Sequence, residues 1–550
     1  HSFASHSDTE AVVHAYEEFG VAAVERLWGM FALALWDRRE QRLLLARDRL
    51  GKKPLVYYHA PDGGLAFASE LQALIAHPAI PRAIDSNAID DFLTYLYVPA
   101  PATIYRDTRK LRPGHRLIWQ AGRVTIEPYW RLTFADKLRL SEDEAVAGFG
   151  ELLRDAVRRR LIADVPLGAF LSGGMDSSSV VAEMAELSSG PVKTFSIGFG
   201  ERDFDELSFA RQVAERFGTE HHELVVEPRA LEVLPTLVRH YGEPYADSSA
   251  VPSYYVSQMT RRHVTVALNG DGGDELLAGY ERHWAARMAA RYDALPRVVR
   301  HGLIRPLVPL LPEPRPRRAL LRRAKRFMAA AHLPVLDRYL HWVGAYTPGH
   351  KAELYTRDFA AVLDGHEAGR WLREALAPEP NLDAVDAVQR ADTLLYLPDD
   401  LLAKIDIATM ANSLEARSPL LDHRLVEFCA SLPSSYKLRG RTSKWLLRRL
   451  MRDRLPAPIL SRPKMGFGVP VGEWLRGELR PLLEDTILSA RALRRGYFRP
   501  AAVRALVDEH ISHQADRTPH LWALVMLELW FQTFVDGAVS SPRSESIQIA

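Results

Sequence analysis

The segment Leu171-Ser172-Gly173-Gly174-Met175-Asp176-Ser177-Ser178 constrains this chain more than any other. An apolar run over residues 165–171 leads into it, and a helical pattern from about residue 177 leads out. An open α/β sheet places its ligand at such a strand-to-helix junction. Gly173 and Gly174 allow the backbone to turn tightly and approach a phosphate chain. Free N–H groups at the helix start, with the hydroxyls of Ser172, Ser177 and Ser178, can donate to phosphate oxygens. Asp176 would repel phosphate directly, but it makes sense as a ligand to a Mg²⁺ that bridges to pyrophosphate. A Walker A loop would need G-x-x-x-x-G-K-[ST], and the chain contains no such run. A plain Gly-Ser connection is the bland alternative, and it fits the strand–loop–helix context less well.

A second run, Asn269-Gly270-Asp271-Gly272-Gly273-Asp274-Glu275, directly follows the buried-type strand at residues 264–268. Three glycines and three carboxylates there would form the opposite wall of one crevice. Asp274 reads as the second Mg²⁺ ligand, and Asp271 as either a ligand or an adenosine contact. Taken alone, the run also reads as a solvated turn. Thr194-Phe195-Ser196-Ile197-Gly198-Phe199 ends the neighbouring strand, where a nucleobase could pack on Ile197; an ordinary core strand explains it equally well.

The surrounding pattern alternates. Helices are expected at about 142–161, 207–217 and 251–262, with strands at 165–171, 192–198, 221–226 and 264–268. Strands separated by helices predict a parallel, doubly wound sheet. From about residue 276 onward the chain reads as mainly helical, with a Pro-rich break at 306–316 and helices at 503–510 and 521–534. Upstream, residues 7–130 read differently. Ser7-Asp8-Thr9-Glu10 has the form of a capping box opening a helix to about Phe19. Short apolar runs follow at 29–36, 42–47, 55–59 and 65–68, with Asp62-Gly63-Gly64 as a hairpin turn, so a mostly antiparallel meander is expected. Residues 131–141 form a polar linker. The predicted domains are 1–135 and 141–538, with a polar, disordered tail at 539–550.

Composition removes other classes. At 550 residues, more than one domain is expected. The net charge of +2 gives no global reason for a nucleic-acid or membrane partner. No apolar run approaches the ~20 residues of a membrane span. The one cysteine, Cys429, lies in a helical apolar pattern, excludes an intrachain disulfide and fits a reducing, cytoplasmic compartment.

The three motifs together are similar to a known family. Ser-Gly-Gly-Met-Asp-Ser-Ser resembles the pyrophosphate loop of N-type ATP pyrophosphatases. With Asn-Gly-Asp-Gly-Gly-Asp-Glu and Ser413-Leu414-Glu415-Ala416-Arg417-Ser418-Pro419-Leu420-Leu421-Asp422, it resembles the glutamine-hydrolysing asparagine synthetase family. Gly29-Met30-Phe31-Ala32-Leu33-Ala34-Leu35-Trp36-Asp37 and Ala46-Arg47-Asp48-Arg49-Leu50-Gly51-Lys52-Lys53-Pro54-Leu55 are similar to that family's glutaminase domain. The implied fold is α/β: a partial N-terminal-nucleophile αββα sandwich, then a doubly wound ATP pyrophosphatase domain with a helical carboxyl-terminal part. The implied reaction is ATP- and Mg²⁺-dependent. The aspartate side chain attacks the α-phosphate to give an aspartyl-adenylate and pyrophosphate, and ammonia then displaces AMP to give asparagine.

By this resemblance the ATP and pyrophosphate contacts are Leu171, Ser172, Gly173, Gly174, Asp176, Ser177, Ser178, Ile197, Gly270, Asp271 and Lys444. Lys464 matches the family's transition-state lysine, with Asp176 and Asp271 as the other catalytic candidates. Lys464 also reads as a generic surface lysine, and Lys444 as a helix-surface lysine. Glu415, Arg417 and Asp422 could shape an aspartate pocket or form an ion-pair network, so no catalytic role is assigned to them. Asp8 matches the aspartate that grips the glutamine α-amino group; alternatively it favours a helix start.

The chain departs from the family at its beginning, where the glutaminase nucleophile, an N-terminal cysteine, has no counterpart. A missing upstream stretch is the favoured expectation, with glutamine as nitrogen donor in the complete protein and ammonia alone for this chain. The expected partners are aspartate, ATP, and glutamine or ammonia, with no nucleic acid and no membrane; a homodimer is the state family members often adopt. Two rival readings remain. The same adenylate chemistry could act on another carboxylate, in glycan amidation or in peptide or β-lactam cyclisation. The basic run at residues 315–326 is the only support for a tRNA-modifying enzyme.

Overall fold

The computed structural model describes residues 1–199, 206–226, 232–296, 298–300, 330–377, 379, 382–464 and 468–537. The break at 306–316, the basic run at 315–326 and the tail at 539–550 lie outside the described residues.

The amino-terminal part is two antiparallel sheets. Strands β1 (Ala32–Asp37), β2 (Arg42–Arg47), β6 (His115–Gln120) and β7 (Arg123–Pro128) pair in the order β1-β2-β6-β7, and β3 (Val56–His59), β4 (Leu65–Ala68) and β5 (Thr108–Lys110) pair as β4-β3-β5. Alternation along each strand separates the layers. Leu45, Leu55, Tyr57, Leu111 and Leu117 fill the space between the sheets. Leu44 and Ala46 instead face Tyr16 and Val24, on the helices Asp8–Phe19 and Ala23–Arg26. On the far side, Val56 packs with Leu71 and Leu74 of helix Leu71–Ile75 and with Ile89 and Phe92 of helix Ser86–Tyr95. Helix, sheet, sheet, helix is the αββα layering expected.

The capping box at the chain's start forms only in part. Ser7 accepts from the Thr9 N–H, while Glu10 reaches past Ser7 to the N–H groups of Ala4 and Ser5. The sequence pattern does not encode this competition from residues further upstream.

The second part is built on a five-stranded parallel sheet of β8 (Leu167–Phe170), β9 (Lys193–Phe199), β10 (Glu220–Val226), β11 (Val266–Leu268) and β12 (Glu415–Arg417), in the order β10-β9-β8-β11-β12. Successive residues feed opposite faces, as a doubly wound sheet requires. Ala169, Val266 and Leu268 pack against Phe149, Leu153, Val180 and Val181, on helices Glu142–Arg160 and Met175–Leu187. Phe195, Ile197 and Ala267 pack against Val251 and Val256 of helix Ala250–Arg261. Helix Met175–Leu187 starts two residues before the expected position because Gly174 takes the cap position. Strand β12 was not expected: a three-residue strand has too few positions to show a period.

Among the described residues beyond Leu276 the chain is mostly helical, as expected, with short strands at 415–417, 438–439 and 442–443. The apolar helix Thr518–Phe531 buries Trp522, Trp530 and Phe531 in the larger core. Residues Asp392–Leu402 wind as wider π-type turns around Pro398, which has no N–H for a regular turn, and carry Tyr396 toward the sheet. Among the described residues no helix is long and apolar enough to cross a membrane.

Candidate active site

The strand order locates the site. The chain leaves β8 toward β9 and β10, then returns to the other side of β8 as β11. Loops after β8 and β11 therefore diverge and open a crevice between them. Both glycine-rich segments stand there. They press together closely: a Cβ on Gly270 would lie 2.6 Å from the Ser177 backbone nitrogen, and one on Gly273 would lie 2.3 Å from Asp176 Oδ1. Only glycine permits that approach.

Within the first loop, the Ser172 and Ser177 hydroxyls are 3.1 Å apart, and Ser177 also donates to the Gly174 carbonyl. Ser178 is fully buried, and its hydroxyl has no hydrogen-bond partner. Asp176 falls in the first turn of helix Met175–Leu187, where the free N–H groups favour a negative charge.

Four charges meet between the loops. Lys444 Nζ contacts Asp176 Oδ2 and lies 2.7 Å from Asp274 Oδ1, and Lys464 Nζ lies 2.6 Å from Asp274 Oδ2. Asp176 and Asp274 therefore point oxygens at one place. Asp176 Oδ1 is buried with no hydrogen-bond partner, and the Lys444 contact to Asp274 Oδ1 is a charge contact without hydrogen-bond geometry. Burial pushes the Asp176 carboxyl up, opposed by Lys444. Against burial, the Lys444 and Lys464 ammoniums hold Asp274 well below the ordinary carboxylate range. Glu275 is pushed up to about 7 by burial and by Asp274, and the Tyr280 hydroxyl donates to it.

The two lysines arrive differently. Lys444 is buried and caps helix Trp445–Leu450 with a left-handed backbone, φ 53°. A side-chain-bearing residue held in that region stores strain of about 1–3 kcal/mol, characteristic of functional sites. The helix-surface alternative for Lys444 is thereby corrected. Lys464 is 38% exposed, and residues 465–467 of its segment lie outside the described residues.

The donor set fits Mg²⁺. Two carboxylates converge, one with an orphaned buried oxygen, and a hard dication that takes only a few protein oxygens suits such a pair.

The cleft has room for about 460 Å³ and is lined by Leu171, Ser172, Gly174, Asp176, Ser177, Ile197, Gly270, Asp271, Asp274, Lys444 and Lys464. Gly173 and Ser178 stand behind that surface. Asp8 is not among the lining residues; it sits exposed at the start of its helix, hydrogen-bonded only to Thr9 among the described contacts. Glu415, Arg417 and Asp422 do not line the cleft; they belong to an ion-pair network joined through Arg160, whose carbonyl accepts from Arg417 and whose guanidinium meets Asp422. Glu415 pairs with Arg417 at 2.6 Å on β12, whereas Asp422 caps helix His423–Ser431 and pairs with Arg160 and Arg424.

Sequence reasoning missed several lining residues. Arg448 follows Lys444 by one helical turn, and Arg462 precedes Lys464 by two residues, donating to the Ser172 carbonyl and pairing with Glu206 at 2.5 Å. That spacing from chosen lysines was a usable signal. No such signal marks Lys404, whose ammonium lies 2.8 Å from both Asp247 Oδ2 and Ser249 Oγ at the far end of the cleft. Beside them Asp400 is pushed up to about 7 by burial and by Asp247, and Tyr245 donates to it.

Comparison with known proteins bears on this arrangement. Residues 148–532 match the family model described as asparagine synthase, and residues 1–130 match that of a glutamine amidotransferase domain. The glutamine-hydrolysing asparagine synthetase 1 of Bacillus subtilis is 30% identical over 96% of this chain and 81% of its own length. A putative glutamine-hydrolysing asparagine synthetase of Mycobacterium tuberculosis is 34% identical over 99% of this chain and 82% of its own. An enzyme named amidase chyE, from Penicillium rubens, is 26% identical over 93% of this chain and 80% of its own length.

Proposed function

Because the chain belongs to the asparagine synthase family of ATP-dependent amidating ligases, we propose that it converts L-aspartate to L-asparagine through an aspartyl-adenylate, releasing AMP and pyrophosphate. The observation that carries this reading is the convergence of Asp176, Asp274, Lys444 and Lys464 between two glycine-rich loops at the carboxyl ends of β8 and β11.

A carboxylate resists amines until one oxygen belongs to a good leaving group. In the proposed first step the aspartate side-chain oxygen bonds to the α-phosphorus, and the bond to pyrophosphate breaks. In the second, ammonia bonds to the acyl carbon, AMP leaves and a proton is released. Catalysis here is alignment and charge neutralisation. The N–H groups and hydroxyls of the Ser172–Ser178 loop hold the departing pyrophosphate, and Ile197 offers an apolar surface for the base. Lys464 and Lys444 offset the charge that grows on phosphate oxygens. Asp176 and Asp274 would hold Mg²⁺, which when bound neutralises pyrophosphate charge. Lys404 and Asp247 offer the opposite charges that an α-amino acid's two ends require.

For nitrogen, the group proposed to meet the adenylate is ammonia. Its one cysteine, Cys429, is buried in the core, its thiol pushed up to about 12 by that burial, so it supplies no nucleophile for glutamine. Glutamine is proposed as the source of that ammonia, in keeping with the match of residues 1–130 to a glutamine amidotransferase domain. The similarity to a protein named amidase supports a second reading, in which another carboxylate is the acceptor.

The test is pyrophosphate release with ATP, Mg²⁺, aspartate and ammonium, with the product identified by mass. Asparagine and AMP support the proposal. A folded, ATP-binding protein that releases no pyrophosphate with aspartate overturns it in favour of another carboxylate.

A further inference from the structure

One contact joins the two parts of the molecule inside the cleft wall. Lys52, on the loop after β2, is 5% exposed although it belongs to the amino-terminal part. Its Nζ donates to the Ser418 hydroxyl at 3.0 Å and lies 3.8 Å from Asp271 Oδ2. Asp271 lines the cleft; Lys52 and Ser418 stand behind it.

The loop is built to aim that side chain. The Asp48 carboxylate accepts from the backbone N–H groups of Leu50, Lys52 and Lys53, at 3.2, 3.0 and 2.9 Å. Arg47 locks the same turn from below, donating to the carbonyls of Lys53, Gly51 and Leu111. Six hydrogen bonds thus fix a seven-residue turn before its lysine crosses the interface.

Mere docking does not need this lysine. The adjacent Lys53 already makes a tight cross-interface pair with Asp406, at 2.6 Å. Lys52 gains less: burial pushes its ammonium below the usual lysine value, with Asp271 as the largest opposing charge. A buried cation held by one hydroxyl and by a carboxylate only as near as 3.8 Å is expensive to keep. Its reach to the cleft carboxylate offers a reason for keeping it. Among the described residues the other side-chain donor to Asp271 is Asn269, whose amide donates to the same oxygen at 2.7 Å.

We propose that Lys52 is a positioning residue for amidation: from the amino-terminal part of the chain it fixes the Asp271 carboxylate that the cleft presents to the incoming ammonium cation. The inference rests on the amidation reading above. A carboxylate at that wall draws ammonium in; once the ammonium has lost a proton to solvent, the ammonia left beside the wall attacks the acyl carbon, and a mobile carboxylate gathers it less well.

The test uses the whole chain with saturating ATP, Mg²⁺ and aspartate and varied ammonium. Lys52→Met is expected to lower kcat/KM for ammonium about tenfold with KM for ATP unchanged, and Lys52→Arg to recover part of it. Asp271→Asn should lose a similar factor, and the double variant no more than Asp271→Asn alone. Lys53→Met should lower the melting temperature while leaving kcat/KM for ammonium within twofold. An unaffected Lys52→Met, losses that multiply in the double variant, or an equal loss in Lys53→Met each overturns the inference. If the wild type releases no pyrophosphate with aspartate, the acceptor reading fails by itself. The Lys52–Asp271 cycle is then read in melting temperatures: non-additive shifts uphold the positioning contact and additive shifts overturn it.

Discussion

Two buried clusters of acid and base are finished differently. In one, Asp90 and Asp91 meet His366, Lys351, Tyr355, Arg370 and Trp371. Asp90 Oδ1 takes Lys351 and the Tyr355 hydroxyl, Asp90 Oδ2 faces His366, and the Asp91 oxygens take His366, Trp371 and Arg370. Every carboxylate oxygen has a donor or a positive charge beside it, although His366 Nδ1 and Arg370 Nε are buried without a hydrogen-bond partner. Three of these groups could geometrically hold an ion, but donors already occupy them. In the other cluster, Asp176 keeps a buried oxygen with none, and Asp274 Oδ1 has a charge beside it at the wrong angle. Both clusters place charge out of water at a cost of several kcal/mol per ion. The first, whose carboxylates are all faced by donors or cations, recovers much of that cost within the folded chain and ties helix Ser86–Tyr95 to helices Pro348–Leu354 and Arg370–Ala375. The unsaturated one leaves its capacity for something that arrives later.

Substitutions should separate the two. Asp176→Ala is expected to reduce pyrophosphate release by about 10³-fold, since it removes a charge needed where phosphate charge develops, with little change in melting temperature. Asp91→Ala should do the reverse: it strands His366 and Arg370, costing about 3–5 kcal/mol in urea unfolding, while the surviving folded enzyme keeps its kcat. If Asp91→Ala lowers kcat with stability intact, the division between the clusters fails.

Asp400 sharpens the contrast, since it is buried near Lys404 but titrates near neutrality. A carboxyl near 4 in the unfolded chain and about 7 in the folded one binds its proton more tightly when folded. Its contribution is therefore full below pH 4 and is lost as pH rises to about 7, at up to about 1.4 kcal/mol per pH unit. Asp400→Asn keeps an acceptor for Tyr245 and should flatten that limb, so the variant gains stability on the wild type at pH 8 but not at pH 4. An unchanged slope in urea midpoints against pH would refute it.

The smallest effect is expected at Cys429. Its buried thiol should resist alkylation in the native protein, and Cys429→Ala should cost about 1–2 kcal/mol with ammonium-dependent synthesis preserved. Rapid alkylation of the native chain would show the site to be open.

Much of this was legible in the sequence where local pattern decides. Glycine pairs at strand ends announced the loops after β8 and β11, and the runs at 42–47, 65–68 and 207–217 match their elements to the residue. Lys464 came from resemblance alone; the structure places its ammonium 2.6 Å from Asp274 Oδ2. What could not be read depends on distant chain. Lys404 and Asp247 are 157 residues apart, and Lys52 and Ser418 are 366 apart, so nothing near either partner marks the meeting. The burial of Lys444 was equally hidden, because a polar residue before a helix reads as surface until the tertiary wall around it is known.

Strand β12 has a consequence for how the protein is made. Its partner β11 ends at Leu268, and Glu415 follows about 150 residues later. At roughly 5–20 residues per second, a ribosome needs on the order of 7–30 s to supply it. Throughout that interval the nascent sheet has an open edge at β11, beside the acidic loop. The sheet beside that loop is thus completed only well after β11 is made, and until Glu415-Ala416-Arg417 arrives the exposed edge is open to pairing with other strands unless something covers it.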